Sequence, residues 1–274
     1  MDFVIDGRKI YAYTGGRPVC ATRPLIVFIH GAQHDHSVWI LQSRFLAHHG
    51  FSVLAVDLPG HGRSEGPPLA SVEALADWTA QLIRAARLGP AHLVGHSMGS
   101  LIALETAARH PKETLSLALL GTAAPMRVSA ALLNAAREDE ARAFDMINAW
   151  SHSGITVHPG CPGPGFSIFN QNRRLMERQP PGVLHNDFMA CNAYEGALAS
   201  AARIQCPALV VSGSRDIMTP ARAAKPLVEA LRGRPEPGSG TTVVELADCG
   251  HAMMAEQPDR VLRVLRQFWT NHHA

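Results

Sequence analysis

The chain alternates between two hydrophobic textures. Short, nearly continuous apolar runs recur at Leu25–His30 (LIVFIH), Ser52–Leu58 (SVLAVDL), Ala91–His96 (AHLVGH), Leu115–Gly121 (LSLALLG), Ala208–Gly213 (ALVVSG) and Thr241–Leu246 (TTVVEL). Runs of this kind predict parallel strands covered on both faces, and these six are the expected core strands. Between them, Ser37–His49, Val72–Arg87, Ser97–His110, Arg222–Arg232 and Pro258–Thr270 read as helices, with Pro258 suited to a first helical turn. Strand–helix alternation predicts an α/β fold with a doubly wound, mostly parallel sheet. Phe3–Tyr13 reads as an opening hairpin on the sheet edge, turning at Asp6-Gly7.

The alternation lapses after Gly121 and resumes near Cys206-Pro207. Ser129–Trp150 is an alanine-rich helical stretch. A breaker run follows at His158–Gly165, then helical pieces at Asn170–Gln179 and Val183–Arg203, separated by Pro180-Pro181-Gly182. The expected organisation is a core made of residues 1–123 and 203–274, with a mostly helical lid at 124–202. Phe144, Met146, Trp150, Phe166, Phe169, Phe188, Met189 and Tyr194 give the lid an apolar face, fit for its own core or for roofing a pocket.

Composition narrows the function classes. The 274 residues are 46% hydrophobic and 18% charged, and 25 basic against 23 acidic residues give a net charge of only +2. With no basic stripe, no nucleic-acid partner is expected. Five scattered cysteines without a CxxC pair argue against a disulfide framework or a zinc knuckle. The opening MDFVIDGRKI lacks a signal-peptide pattern, and no apolar run reaches the length of a membrane span. The expected location is the reducing cytoplasm.

The chemistry centres on Gly95-His96-Ser97-Met98-Gly99, a GxSxG preceded by a strand pattern and followed by a helix pattern. That context makes a nucleophile elbow, in which a strained serine is lifted above the sheet at a helix N-terminus. Serine needs a base. His251 follows the last strand through Ala247-Asp248-Cys249-Gly250, so it sits at the carboxyl edge of the sheet, where catalytic groups gather. Asp216, just past ALVVSG, is the expected orienting acid, with Asp248 as its competitor. An oxyanion hole needs two backbone N–H groups. Met98 and Ala32, the latter in the loop after LIVFIH, are the expected donors.

These motifs resemble the α/β-hydrolase superfamily, specifically its Ser-His-Asp esterase-like branch with a helical lid. His30–Trp39 (HGAQHDHSVW) is similar to the family's HG-x-W segment, and Asp57–Ser64 (DLPGHGRS) to its DLPGHGxS turn. GHSMG, GSRD and DCGH follow in the family's order. The resemblance covers the core and implies the fold, the triad and the two backbone donors. Ser100 stands where many relatives have a third glycine. Serine at position 97 separates the chain from the dehalogenase and epoxide-hydrolase branches, which carry aspartate there. Asp57 is implied to be a loop anchor. Glu105 reads as a packing or capping partner, and Cys249 as a buried small hydrophobe. Asp187–Tyr194 (DFMACNAY) resembles the lid end of C–C-bond hydrolases and related esterases.

The expected activity is hydrolysis of a carboxylic ester by Ser97, His251 and Asp216 through an acyl-enzyme, with no cofactor and no metal. His34 and His36 alone are too few for a metal site. The alternatives are a C–C bond in a vinylogous diketone, a lactone or an amide, or a non-catalytic receptor on the same fold. Gln33, His34, Met126, Trp150, Asn192, Tyr194 and Met218 are the candidate contacts to a small ester-like substrate. Monomer and homodimer both remain open.

Overall fold

Period-two alternation in the most buried strand sets up the layers. A computed structural model describes residues 1–154, 167–234 and 240–272. In it β3 (Leu25–Ile29) is buried at every position: Leu25, Val27 and Ile29 face one core cluster, Ile26 and Phe28 the other. Each such side chain contributes roughly 1.5–3 kcal/mol through burial. β4 (Ser52–Val56), β5 (Ala91–His96) and β7 (Ala208–Gly213) are likewise buried throughout. With β1 (Asp2–Ile5), β2 (Arg8–Tyr13), β6 (Thr114–Leu120) and β8 (Thr241–Leu246), they make one eight-stranded sheet in the order β1-β2-β4-β3-β5-β6-β7-β8. The first two strands pair antiparallel, and β2 pairs antiparallel with β4. All other neighbours are parallel.

Helices cover both faces. α1 (Ile40–Ala47) and α11 (Pro258–His272) lie on one side, and α2 (Val72–Ala86), α3 (Met98–Arg109) and α9 (Ala221–Arg232) on the other. The short helix α10 (Met253–Glu256) contributes Met253 and Met254 to the α11 side. Ser71 caps α2 by accepting from the Ala74 amide.

The insertion between β6 and β7 is helical: α4 (Ala130–Glu138), α5 (Glu140–Ser151), α6 (Ile168–Glu177), α7 (Val183–Ala193) and α8 (Ala197–Ala201). Leu132, Ala136, Phe144, Ile147, Met176, Leu184 and Phe188 form a separate apolar cluster within it. The last helix of the insertion packs into the main core instead, through Ala197 and Ala201. Phe166 and the breaker run His158–Gly165 lie outside the described residues.

Three sequence expectations change. Thr241–Leu246 is an edge strand, not a core strand: only Leu246 is buried, because among the described residues no strand pairs beyond it. Ser129–Trp150 is two helices, since Asp139 leaves helical geometry and caps the second by accepting from the Arg142 amide. Val183–Arg203 breaks at Tyr194–Gly196 between α7 and α8. Among the described residues, no helix is long and apolar enough to cross a membrane.

Candidate active site

Ser97 alone makes the turn from β5 into α3. Its backbone sits at φ 53°, ψ −122°, a state that costs a non-glycine residue roughly 1–3 kcal/mol. The turn is tight enough to demand glycine on both sides. A Cβ on Gly95 would lie 2.0 Å from the Gly99 carbonyl oxygen, and one on Gly99 would lie 2.3 Å from that of Ile29. The Ser97 amide donates to Leu120 O at 2.9 Å, which fixes the elbow to β6. Ser100, the departure from the third glycine, fits here: it is fully buried and its hydroxyl donates to Ser97 O at 2.6 Å.

The loops after β7 and β8 meet beside this serine. A Cβ on Gly213 would lie 2.3 Å from Cys249 O, so the two loops run in direct contact. His251 Nδ1 donates to Asp216 Oδ2 at 2.8 Å, and both residues are buried. The same oxygen accepts from the Thr219 hydroxyl, and Oδ1 accepts from the amides of Met218 and Thr219. Burial pushes the Asp216 carboxyl up, but the adjacent imidazole and these hydrogen bonds outweigh it and hold the pKa at about 2. Asp216 is therefore a permanent carboxylate at neutral pH. Asp248 points elsewhere, to Arg215 at 2.8 Å.

Ser97 and His251 line one cavity of about 240 Å³, with Ala32, Met126, Trp150, Met218, Leu132 and Phe188 among its walls. Among the described residues the Ser97 hydroxyl makes no hydrogen bond. Such contacts commonly tighten only in the substrate complex. The sequence pattern of the alpha/beta hydrolase family matches residues 26–264.

The chain belongs to the alpha/beta hydrolase family. It is 33% identical to the pimeloyl-[acyl-carrier protein] methyl ester esterase of Chromobacterium violaceum, over 76% of this chain and 82% of that protein. The enol-lactonase of Burkholderia xenovorans superposes with a TM-score of 0.83 at 24% identity, covering 98% of this chain and all of that one. An esterase from Exiguobacterium antarcticum gives 0.83 at 19% identity, covering 98% and 99%. At these identities the two structures show a shared fold. This α/β-hydrolase thus resembles esterases, lipases and lactonases.

The remaining sequence-predicted residues divide. Ala32, Met126, Trp150 and Met218 line the cavity of this α/β-hydrolase, and Met98 is buried in the first turn of α3. Gln33 does not face the cavity: its amide donates to Asp187 and its side chain to Met176 O. Tyr194 donates to Glu105 Oε2 beneath α8, and Asn192 accepts from the Val128 amide. None of these three lines the cavity, because each has a polar partner elsewhere in the fold. His34 borders a smaller chamber of about 60 Å³ on another side of His251, and bonds Ala32 O and Asn172.

His36 bonds Asp57 at 2.7 Å. Asp35, His36 and Asp57 bring three potential metal-ligand atoms within 4.8 Å. Their oxygens are already committed to the amides of His36, Ser37 and Arg63 and to the side chains of Arg178 and Gln179. The cluster is a loop anchor.

Sequence reasoning missed Thr219 and His96. Asp216 closes an Asx turn by accepting the Met218 amide, which brings Thr219, three residues on, against the same carboxylate; the pattern was legible in DIMT. His96 donates from Nε2 to the His251 carbonyl at 2.9 Å, and burial together with the neighbouring His251 pushes its pKa well down. It is a neutral strut under the His251 loop.

Proposed function

We propose that this enzyme cleaves carboxylic esters of apolar acyl groups, with Ser97 as nucleophile, His251 as base and Asp216 as orienting acid. The observation that carries the reading is the Asp216–His251 pair at 2.8 Å, opening onto the cavity floored by the elbow serine. With its Nδ1 proton engaged by Asp216, the imidazole keeps a lone pair on Nε2. Ser97 Oγ attacks the ester carbonyl while its proton passes to Nε2. The oxyanion is held by the amides of Ala32 and Met98, at the positive end of α3. Collapse breaks the C–O bond, and the leaving alcohol takes the proton from His251. Water then attacks the acyl-enzyme, gives a proton to Nε2, and the second collapse returns that proton to Ser97 as the acid leaves.

Met126, Val128, Leu132, Trp150, Phe188 and Ile217 make the cavity suited to an acyl chain. The Chromobacterium relative is named for cleaving a methyl ester of an acyl group, which agrees with this reading. The test is turnover of p-nitrophenyl esters of graded chain length, together with fluorophosphonate labelling. Wild type is expected to turn over and label, and Ser97→Ala to do neither. Turnover of a dienoic ketone with no ester activity would replace the reading with C–C hydrolysis, and absence of labelling in folded protein would remove the enzyme claim.

A further inference from the structure

A second aspartate–histidine pair in which both residues are fully buried lies outside the cavity, sealed between the insertion and the core. Asp187 of α7 and His61 of the loop after β4 are both about 1% exposed and separated by 126 positions in the chain. His61 Nε2 donates to Asp187 Oδ2 at 2.9 Å, while Nδ1 faces Pro59 O at 3.0 Å. Both ring nitrogens thus meet acceptors that carry no proton, so only the imidazolium satisfies them. The same Asp187 oxygen accepts the Gln33 amide at 2.9 Å. Gln33 adopts φ 57°, the left-handed region, directly after Ala32. Its side chain is tied to Met176 O in the insertion.

We propose that Asp187, with His61 as counter-ion, is the positioning residue for the oxyanion loop. By gripping the Gln33 amide it holds the strained turn that presents the Ala32 N–H to the substrate carbonyl. This rests on the reading of Ser97 and Ala32 above. The insertion then supplies an anchor for the catalytic machinery as well as a roof. The arrangement also makes the loop pH-sensitive from the alkaline side. The groups facing His61 are Asp187 on α7, Asp57 at the end of β4, and His30 at the end of β3, whose ring lies 5.0 Å away. Burial pushes the His61 pKa down, but the Asp187 carboxylate overrides it and raises it above the ordinary 6.5. His30 is held neutral by its own burial and by His61. The grip is complete while His61 is protonated and weakens as pH rises through that raised pKa.

The experiment compares wild type, Asp187→Asn, Asp187→Ala and His61→Gln by kcat, KM and pH profile on a short p-nitrophenyl ester, and by fluorophosphonate labelling rate. Asp187→Ala is expected to lower kcat and the labelling rate ~10- to 100-fold with KM changed less than about threefold, as for a misplaced transition-state donor. Asp187→Asn, which can still accept the Gln33 amide, is expected to recover a large part of that loss. His61→Gln is expected to lose the alkaline fall in kcat, and it carries the test if Asp187→Ala does not fold. Wild-type kcat and labelling in Asp187→Ala, a loss confined to KM, or an unchanged alkaline limb in His61→Gln each overturn the proposal. If wild type itself fails to label, the reading of Ser97 falls, and this one with it. If wild type labels and Asp187→Ala labels equally fast, only the positioning role is lost.

Discussion

Two aspartate–histidine pairs with nearly the same bond length serve different ends. Asp216–His251 spans 2.8 Å and Asp187–His61 spans 2.9 Å, and all four residues are buried. The difference lies in the far nitrogen of each ring. His251 has one nitrogen on Asp216 and Thr219 and lines the cavity with Ser97, whereas both His61 nitrogens are taken by Asp187 and Pro59 O. A carboxylate makes a histidine a general base only when the opposite nitrogen is left free toward a reactant. With both nitrogens bonded, the same pairing becomes a fixed buried ion pair, whose removal on one side leaves an unpaired charge.

The largest effect expected from this comparison separates the two aspartates. Asp216→Asn is expected to lower kcat roughly 10³- to 10⁴-fold, by presenting the wrong imidazole tautomer to Ser97. Asp187→Asn is expected to cost far less than that, since an amide oxygen still reaches the Gln33 amide. Equal losses in steady-state assays would mean that the two aspartates act alike.

Gly95→Ala probes the elbow that places Ser97 in the same cavity as the Asp216–His251 pair. With Gly99 O only 2.0 Å from the new Cβ, the elbow must shift. A stability loss of about 2–4 kcal/mol is expected in urea unfolding, together with loss of fluorophosphonate labelling. An alanine variant of wild-type stability that still labels would mean the elbow is looser than the 2.0 Å approach of Gly99 O requires.

The pH dependence of stability should split the pairs by sign. Asp216 is held at about 2 against an ordinary 3.8. Its contribution, about 2 kcal/mol, is therefore fully present above pH 3.8 and lost as pH falls toward 2. His61 is raised above 6.5. Its contribution is full below 6.5 and lost as pH rises through the folded-state value. Urea midpoints of Asp216→Asn and His61→Gln should converge with wild type at the acid and alkaline ends respectively, and the opposite pattern would reverse the assignment.

The smallest expected effect is none at all. Cys249 stands two residues from His251, but burial, with Glu256 and Asp216 nearby, pushes its thiol up to about 12. Iodoacetamide at neutral pH should leave Cys249 unmodified in the folded protein, as checked by mass spectrometry, because little thiolate is present. Rapid alkylation there would show the loop to be more open than its burial implies.

The fold was legible wherever a local pattern carries the physics. Apolar runs such as LIVFIH gave the buried strands, because a strand covered on both faces has no polar side to show. TTVVEL misled, since a β-branched run looks the same at an edge as in the centre, and only the absence of a further partner exposes it. The break at Asp139 was visible in principle as a capping aspartate, but alanine-rich flanks on both sides masked it. Among candidate contacts, Met126, Trp150 and Met218 lie on the cavity wall, whereas Gln33, Asn192 and Tyr194 found polar partners across the fold.

By itself the sequence determined the sheet, the elbow at Ser97 and the loops bearing Asp216 and His251, because each depends on residues adjacent in the chain: glycines where no Cβ fits, and apolar strands ending at one rim. Tertiary structure alone decided which histidine keeps a nitrogen without a partner among the described residues and which is sealed. That choice depends on α7 of the insertion folding back so that Asp187 meets a ring 126 residues away. Nothing local in DLPGHG or NDFMAC encodes the meeting, because a buried ion pair forms only when two separate backbones have already closed water out between them.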